Sequence, residues 1–397
     1  MRIGRREMMV GASQLDPLGR AATLLVRRTL GTSATLVEPE LVRDGGRNVV
    51  VRCRLETPVA GVASVVVKQM KDGTTLGFTD WMCLRYLSGT PGTAGLVPRF
   101  YGGDVQRRLF VMEDLGDSRS LQDVLMGADQ HVAERACIVL AVQYARLHAA
   151  TMETERQFKR VRRDVPEATV PGRHQEAQRW LAGLTPVRQW LAAAGCAVPA
   201  GFDVACGQVA HAYAEPGPFL AFTHGDPAPT NNHLLQSPKS EVPSPKSGES
   251  DLGLGLSDDV RLLDFEYGGF RHALYDLTAW HVLCPLPEPL VQAMSRAYRA
   301  ALSKSCPAAR DDQAYDSAWS MMCAYRALAM LSWIPCSVLD ENRSWVDEWT
   351  AREAVRSAIR RLREATDRQP GLAPLAETAG HLEQRLLLRW PELRGVD

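Results

Sequence analysis

The stretch Thr223-His224-Gly225-Asp226-Pro227-Ala228-Pro229-Thr230-Asn231 puts a histidine, a carboxylate and an amide on one short turn, as His-x-Asp, four intervening residues, then Asn. Phosphoryl transfer needs a carboxylate beside the attacking hydroxyl and an amide oxygen that helps to hold a metal ion. Asp226 suits the first task and Asn231 the second. The metal that bridges the phosphates needs a second carboxylate. Asp264 supplies one in Val260-Arg261-Leu262-Leu263-Asp264-Phe265-Glu266, where an apolar strand runs into an acid. His-x-Asp-x4-Asn alone arises readily as a polar turn; both stretches together, in this order, make that reading a poor one. His224 is expected to brace the loop backbone by hydrogen bonds and not to act as a base.

Other elements must bring a nucleotide to this loop. From Leu41 to Met70 the sequence has β texture. Asp44-Gly45-Gly46-Arg47-Asn48 is a turn signal, and Val49–Leu55 and Ala63–Met70 are β-branched runs either side of the Pro58/Gly61 break. The turn, with Asn48 at its end, could fold over phosphates through backbone N–H groups, or be an ordinary hairpin turn. Lys68 follows the apolar run Ala63–Val67. Such a lysine is ordinarily a solvated strand exit; to reach phosphates it needs an acid from a neighbouring helix. The spacing of Trp81, Leu84 and Leu87 predicts that helix over Phe78–Ser88, with Asp80 at its start as the partner, or as a first-turn acid that complements the helix dipole. Short strands are expected at Val97–Gly102 and Arg108–Met112. Glu113, Asp114 and Leu115 then break the β pattern and mark a hinge whose main chain would meet the base of the nucleotide.

After Ser120 the chain reads as helical: His131–Thr151 with an apolar stripe ending at His148, an exposed continuation over Met152–Asp164, then His174–Ala194 and Phe202–Glu215. His148 reads as a core residue. Residues 237–259 carry Ser-Pro-Lys-Ser twice and read as a flexible insertion, looped out from a hairpin of Asn232–Leu235 with Val260–Leu263. Asp276 is expected to cap a helix or to tie the catalytic loop by hydrogen bonds. Trp280, Trp319, Trp333, Trp345, Trp349 and Trp390 follow, mostly as core. The acids Asp340, Glu341, Asp347 and Glu348 could meet a cationic acceptor, or form a solvated helix end.

The 397 residues are enough for about two domains at roughly 100–200 residues each. Lys+Arg and Asp+Glu are both 46, which argues against broad electrostatic binding to nucleic acid or to an anionic membrane. The nine cysteines are scattered without a Cys-x-x-Cys pair and read as reduced, buried thiols. The first residues lack an apolar core of signal-peptide length, and no apolar run approaches the ~18 residues of a membrane span. The expected location is cytoplasmic.

Phe222–Asn231, Leu263–Glu266 and Tyr275-Asp276-Leu277 resemble motifs of the aminoglycoside phosphotransferase and choline kinase-like family, a branch of the protein-kinase-like fold; Val67-Lys68 and Phe110–Leu115 match its phosphate lysine and hinge. The resemblance spans about residues 40–350. It implies an α+β bilobal fold, with an antiparallel-sheet lobe over residues 1–115 and a helical lobe over 116–397. It implies ATP or GTP between them, Mg2+, and transfer of the γ-phosphate to a hydroxyl of a small molecule, an antibiotic among the options. Asp226 would be the catalytic aspartate, Asn231 and Asp264 the magnesium ligands and Lys68 the phosphate lysine. Asp80 stands where the family usually has Glu, and Pro227 where Leu or Trp is common. A metabolic kinase for a sugar, amino alcohol or amino acid, and a nucleotide-binding scaffold without catalysis, are the rival readings. A protein kinase is disfavoured, because Asp264 and Asp276 are too close in sequence to leave room for a peptide-docking segment.

Overall fold

A computed structural model of the chain describes residues 12–393, apart from 72, 74, 128, 237–255, 285, 347, 348 and 368. Helix α1 (Ala12–Leu30) leads into β1 (Leu36–Asp44), β2 (Asn48–Val59) and β3 (Val62–Met70); α2 (Leu76–Ser88), β4 (Phe100–Asp104) and β5 (Leu109–Glu113) follow. The five strands form one antiparallel sheet in the order β1-β2-β3-β5-β4. β1 starts earlier than the sequence texture suggests. Pro39 and the positive φ of Glu38 disguise it, and both are tolerated because β1 is an edge strand with a register shift at that point.

Alternation along β3 gives each face of the sheet its role. Val65 and Val67 turn to one side and are fully buried with Val51, Val111, Leu25 and Val26 against α1. Lys68 and Met70 turn to the other side, toward α2. That helix is buried all round: Phe78, Trp81, Met82, Cys83, Leu84, Tyr86 and Leu87 are each at most 4% exposed, since it is wedged between sheet and helical lobe. The sheet approaches so closely that a Cβ on Gly77 would lie 2.2 Å from the Met70 side chain, and one on Gly103 2.3 Å from the Trp81 ring.

Beyond the connector, β6 (Arg119–Ser120) and α3 (Leu121–Leu125) precede the long α4 (Gln130–Thr151). Then come α5 (Glu155–Arg163), α6 (Arg173–Ala182), α7 (Thr185–Ala193) and α8 (Phe202–Ala214). The loop that carries Asp226 and Asn231 is framed by β7 (Leu220–Thr223), β8 (Asn232–Gln236), β9 (Leu256–Leu262) and β10 (Gly269–His272). The chain continues through α9 (Leu274–Leu283), α10 (Glu288–Leu302), α11 (Asp312–Trp333), a small hairpin of β11 (Ser344–Val346) with β12 (Trp349–Thr350), α12 (Ala351–Thr366) and α13 (Ala373–Arg389). The architecture is thus α+β and bilobal, a small antiparallel-sheet lobe against a mostly helical one.

Three expectations are corrected here. The run 174–194 is two helices, broken at Gly183-Leu184 just ahead of Pro186, which occupies the first turn of α7. Residues 152–164 do not continue α4: the backbone turns at Glu153, with φ 68°, and α5 buries Phe158 against Tyr86 and Phe222. The chain after Asp276 is not wholly helical, since the β11–β12 hairpin interrupts it. β8 and β9 pair antiparallel with Asn232 opposite Leu262; of the expected insertion, residues 237–255 lie outside the described residues. Asp347 and Glu348 also lie outside them, and Asp340 is paired with Arg389 on α13. Among the described residues no helix is long and apolar enough to cross a membrane.

Candidate active site

Lys68 is the meeting point of the two lobes. It lies within β3 and not at its exit, 7% exposed, and its Nζ donates to Asp80 Oδ2 and to Asp264 Oδ1, each at 2.7 Å. Because α2 begins at Leu76, Asp80 falls in the second turn; it faces the lysine and does not serve the helix dipole. Its other oxygen, Oδ1, accepts the backbone N–H of Phe265 at 2.8 Å. One aspartate therefore holds both the lysine and the segment that presents Asp264. Burial works against the charge on Lys68, but the two carboxylates outweigh it and hold the ammonium above the ordinary lysine range. Burial likewise opposes ionisation of Asp264, and Lys68 overrides it, keeping that carboxyl below its ordinary value. Asp264 has φ 63°, a left-handed conformation that a side chain bearing Cβ rarely adopts and that the contacts on both sides maintain.

The loop with Asp226 and Asn231 is laced to this segment. Leu263 N–H donates to the Asn231 carbonyl at 2.8 Å, and His224 Nε2 donates to the Leu263 carbonyl at 2.7 Å. Asn231 Nδ2 donates to the Asp226 carbonyl at 3.1 Å. Asp276, fully buried in the first turn of α9, accepts the backbone N–H of His224 at 2.7 Å and of Gly225 at 3.0 Å; it ties the loop and is not a helix cap. Burial alone would raise its pKa, but His148 and the loop N–H groups hold it below the ordinary carboxylate value. Asp226, Asn231, Asp264 and Lys68 are thus brought to one place.

The remaining nucleotide candidates separate. Asn48 opens β2 opposite Met70, and its Oδ1 is buried without a hydrogen-bond partner among the described residues. Glu113 uses its carboxylate on the backbone N–H of Arg99 at 3.0 Å. Asp114 is committed to Arg52 at 2.8 Å and to the Ser64 hydroxyl at 2.7 Å, which pins the connector to β2 and β3. The carboxylates of Glu113 and Asp114 are thus committed to structural bonds.

Sequence reasoning passed over several residues that build the site. His148 is fully buried between the Tyr298 hydroxyl at 2.7 Å and Asp276 Oδ2 at 3.1 Å. Asn232 donates to the carbonyls of Ala228 and Pro227 and accepts the Tyr144 hydroxyl at 3.0 Å, fixing the loop from below. Arg47, at the β1–β2 turn, reaches Glu266 at 2.7 Å, two residues past Asp264. Burial and the neighbouring Asp264 raise the pKa of Glu266 despite Arg47. The signal for Glu266 was present in Asp264-Phe265-Glu266; for His148 and Asn232 there was none, because their partners are distant in sequence.

The donor set suits a hard cation. Asp264 gives one oxygen to Lys68, while the other has no partner among the described residues and the side chain is 32% exposed. Asn231 Oδ1 has only the long 3.4 Å contact from Thr230. Among the described residues no cluster of three or more His, Cys, Asp or Glu side chains forms a closed cage. Magnesium bound beside phosphates needs none: one or two protein oxygens suffice, with phosphate oxygens and water completing the octahedron.

The chain is similar in fold to choline kinases and to aminoglycoside and macrolide phosphotransferases. A choline kinase from Streptococcus pneumoniae aligns at 13% identity over 85% of this chain and 94% of its own, with a TM-score of 0.41. A macrolide 2'-phosphotransferase from Brachybacterium faecium aligns at 15% identity over 87% and 97%, with a TM-score of 0.43. An ADP-bound aminoglycoside phosphotransferase aligns at 10% identity over 88% and 95%, with a TM-score of 0.44. No protein-family model and no curated protein matches the chain.

Proposed function

We propose that the chain is a magnesium-dependent phosphotransferase that moves the γ-phosphate of ATP or GTP to a hydroxyl of a small molecule. The observation that carries this reading is the double grip of Lys68 on Asp80 and Asp264, with the Asp226–Asn231 loop hydrogen-bonded to the same segment. Lys68 sits where it can meet the α- and β-phosphates, released from Asp264 as nucleotide enters. Asn231 and Asp264 would hold the metal. Magnesium, when bound, neutralises charge on the β- and γ-phosphates. Asp226 orients the acceptor hydroxyl and receives its proton as the new oxygen–phosphorus bond forms and the bond to the β–γ bridging oxygen breaks, releasing the nucleoside diphosphate. The main chain at Glu113–Leu115 meets the base, and the β1–β2 turn with Asn48 covers the phosphates. Asp276, His148 and Asn232 hold the loop rigid, so that little reorganisation remains at the moment of transfer.

The test is transfer of labelled γ-phosphate to a panel of hydroxyl compounds, including aminoglycosides, macrolides, nucleosides, amino alcohols and sugars, by the wild-type chain and by Asp226→Asn. Wild type is expected to label at least one acceptor. Asp226→Asn is expected to lose turnover by about two orders of magnitude or more, with nucleotide affinity near normal. Equal turnover in the two proteins would refute the role of Asp226, and absence of binding of both Mg-ATP and Mg-GTP would refute the enzyme.

A further inference from the structure

Outside the site just described, α6, α8, α11 and the start of α9 enclose a cleft of about 330 Å³. Its wall is a column of rings. Tyr325 stacks on Trp180 with centroids 4.7 Å apart and on Tyr213 at 4.4 Å, the latter pair tilted by only 5°. Tyr275 meets Tyr213 and Tyr325 edge-on at 5.5 and 5.9 Å, and Trp333, 52% exposed, stands at the mouth. Both faces of Tyr325 are taken by its neighbours, so the cleft is lined by the edges of the stacked rings, a rigid aromatic surface that suits an aromatic ligand meeting it edge-on.

The charges in the cleft do not balance. Arg326 is 4% exposed; its guanidinium lies 3.4 Å over the Tyr275 ring, and Nε and Nη2 donate to the Tyr275 carbonyl at 3.1 and 2.9 Å. No carboxylate lies within ion-pair distance of it among the described residues. A buried cation without a counter-charge is costly unless something supplies one. Glu176, the acid of the lining, is already committed: its two oxygens take Arg271 Nη2 and Nε at 2.6 and 2.8 Å, and Oε2 also accepts the Tyr213 hydroxyl at 2.7 Å. Arg179, exposed at the rim, adds a further positive charge.

We propose that this cleft is a binding site for a planar aromatic carboxylate, whose ring packs against the edges of the Trp180–Tyr325–Tyr213 column and whose carboxylate pairs with Arg326, with Arg179 closing over it. The guanidinium edge presents N–H donors in a plane, which matches a carboxylate and rejects an ammonium. The cleft is sized for one or two fused rings. Its wall residue Tyr275 immediately precedes Asp276, so an occupant sits one residue along the chain from the aspartate that ties His224 and Gly225.

Titration calorimetry of the full chain with 2-naphthoate tests this, with 2-naphthylmethanol and 2-naphthylmethylamine as the neutral and cationic counterparts. The naphthoate is expected to bind at one site, about tenfold or more tighter than the alcohol, the amine weakest of the three, with affinity falling as salt is added. Arg326→Gln is expected to erase the preference for the anion. Since that residue also holds the Tyr275 carbonyl, Trp333→Ala and Arg179→Ala, both exposed and safe for folding, are measured alongside, and each is expected to weaken naphthoate binding. Absence of naphthoate binding up to about 10 mM, equal affinity for the alcohol, or unchanged affinity in both rim variants would each overturn the assignment.

Discussion

Arg47 crosses from the β1–β2 turn of the sheet lobe to Glu266 of the helical lobe, Nη2 to Oε1 at 2.7 Å, and so latches the turn over the segment that presents Asp264. Arg47 is half-exposed while Glu266 is buried, so the arginine is the partner free to move. On the proposed function, the guanidinium belongs to the turn that covers the phosphates. Arg47→Ala is expected to lower turnover roughly tenfold to a hundredfold, the scale for losing one charged donor to a phosphoryl group. It is expected to cost roughly 1–3 kcal/mol of stability, because Glu266 is left buried without its partner. Steady-state kinetics with Mg-ATP, together with a thermal melt, check both parts. Full turnover in the variant would leave the latch as mere packing.

His148 acts on the loop through Asp276. Replacing it by Phe keeps the volume but removes a hydrogen bond from a fully buried carboxylate. His148→Phe should cost roughly 1–3 kcal/mol, the penalty for an unsatisfied buried group. It should lower kcat with little change in the nucleotide KM, since Lys68 and the connector are untouched. Urea unfolding and initial-rate kinetics on one preparation check this. A stability loss without any effect on kcat would separate His148 from the loop.

How far these relations could be read beforehand follows from their range. That Lys68, Asp226, Asn231 and Asp264 share one neighbourhood was legible, because the loop and the Asp264 segment each form a short local pattern. The partner of Lys68 was legible because α2 follows β3 closely. His148 looked like a core histidine, and by burial it is one; what sets it apart is a bond to Asp276, 128 positions away. Asn232 was hidden behind Asn231, and Arg271 and Glu176 gave no signal, since a bidentate pair between residues 95 positions apart leaves no periodicity. The break between α6 and α7 was written in Gly183 and Pro186, though the stretch 174–194 reads as one helix. β1 was lost because an edge strand may carry a proline that an inner strand could not.

His272 makes acid stability measurable. It is 3% exposed, stacks on Phe219 at 5.1 Å, and its Nδ1 accepts the Leu274 N–H at 3.2 Å, a role open only to the neutral ring. Burial, with a smaller contribution from His148, pushes its pKa down to about 3. The unfolded chain, with a pKa near the ordinary value, then binds more protons than the folded one between about pH 6.5 and pH 3. The contribution of this residue is therefore complete above about pH 6.5 and is lost progressively as pH falls toward 3. Unfolding free energy measured in urea from pH 7 to pH 4 should fall, and His272→Asn, which keeps an acceptor but does not titrate, should flatten the slope. An equally steep slope in the variant would assign the acid sensitivity elsewhere, to Asp276 first.

Gly225 offers the sharpest test of how closely the loop is fitted. Its φ is 86°, and a Cβ there would lie 2.1 Å from the backbone oxygen of Tyr267. Neither the backbone conformation nor the space admits a side chain, and the neighbour is main chain, which cannot rotate away. Gly225→Ala should cost roughly 1–3 kcal/mol from strain alone. The kinetic cost should be larger, about a hundredfold, because the next residue is Asp226 and a shift of about 1 Å at the proposed catalytic carboxylate is enough. Gly19→Ala is the control: it lies in α1, where an added Cβ meets nothing within 4 Å. That change should leave turnover alone and stabilise the chain by up to about 1 kcal/mol through helix propensity. Equal behaviour of the two variants would show that the contact between Gly225 and Tyr267 does not set the position of Asp226.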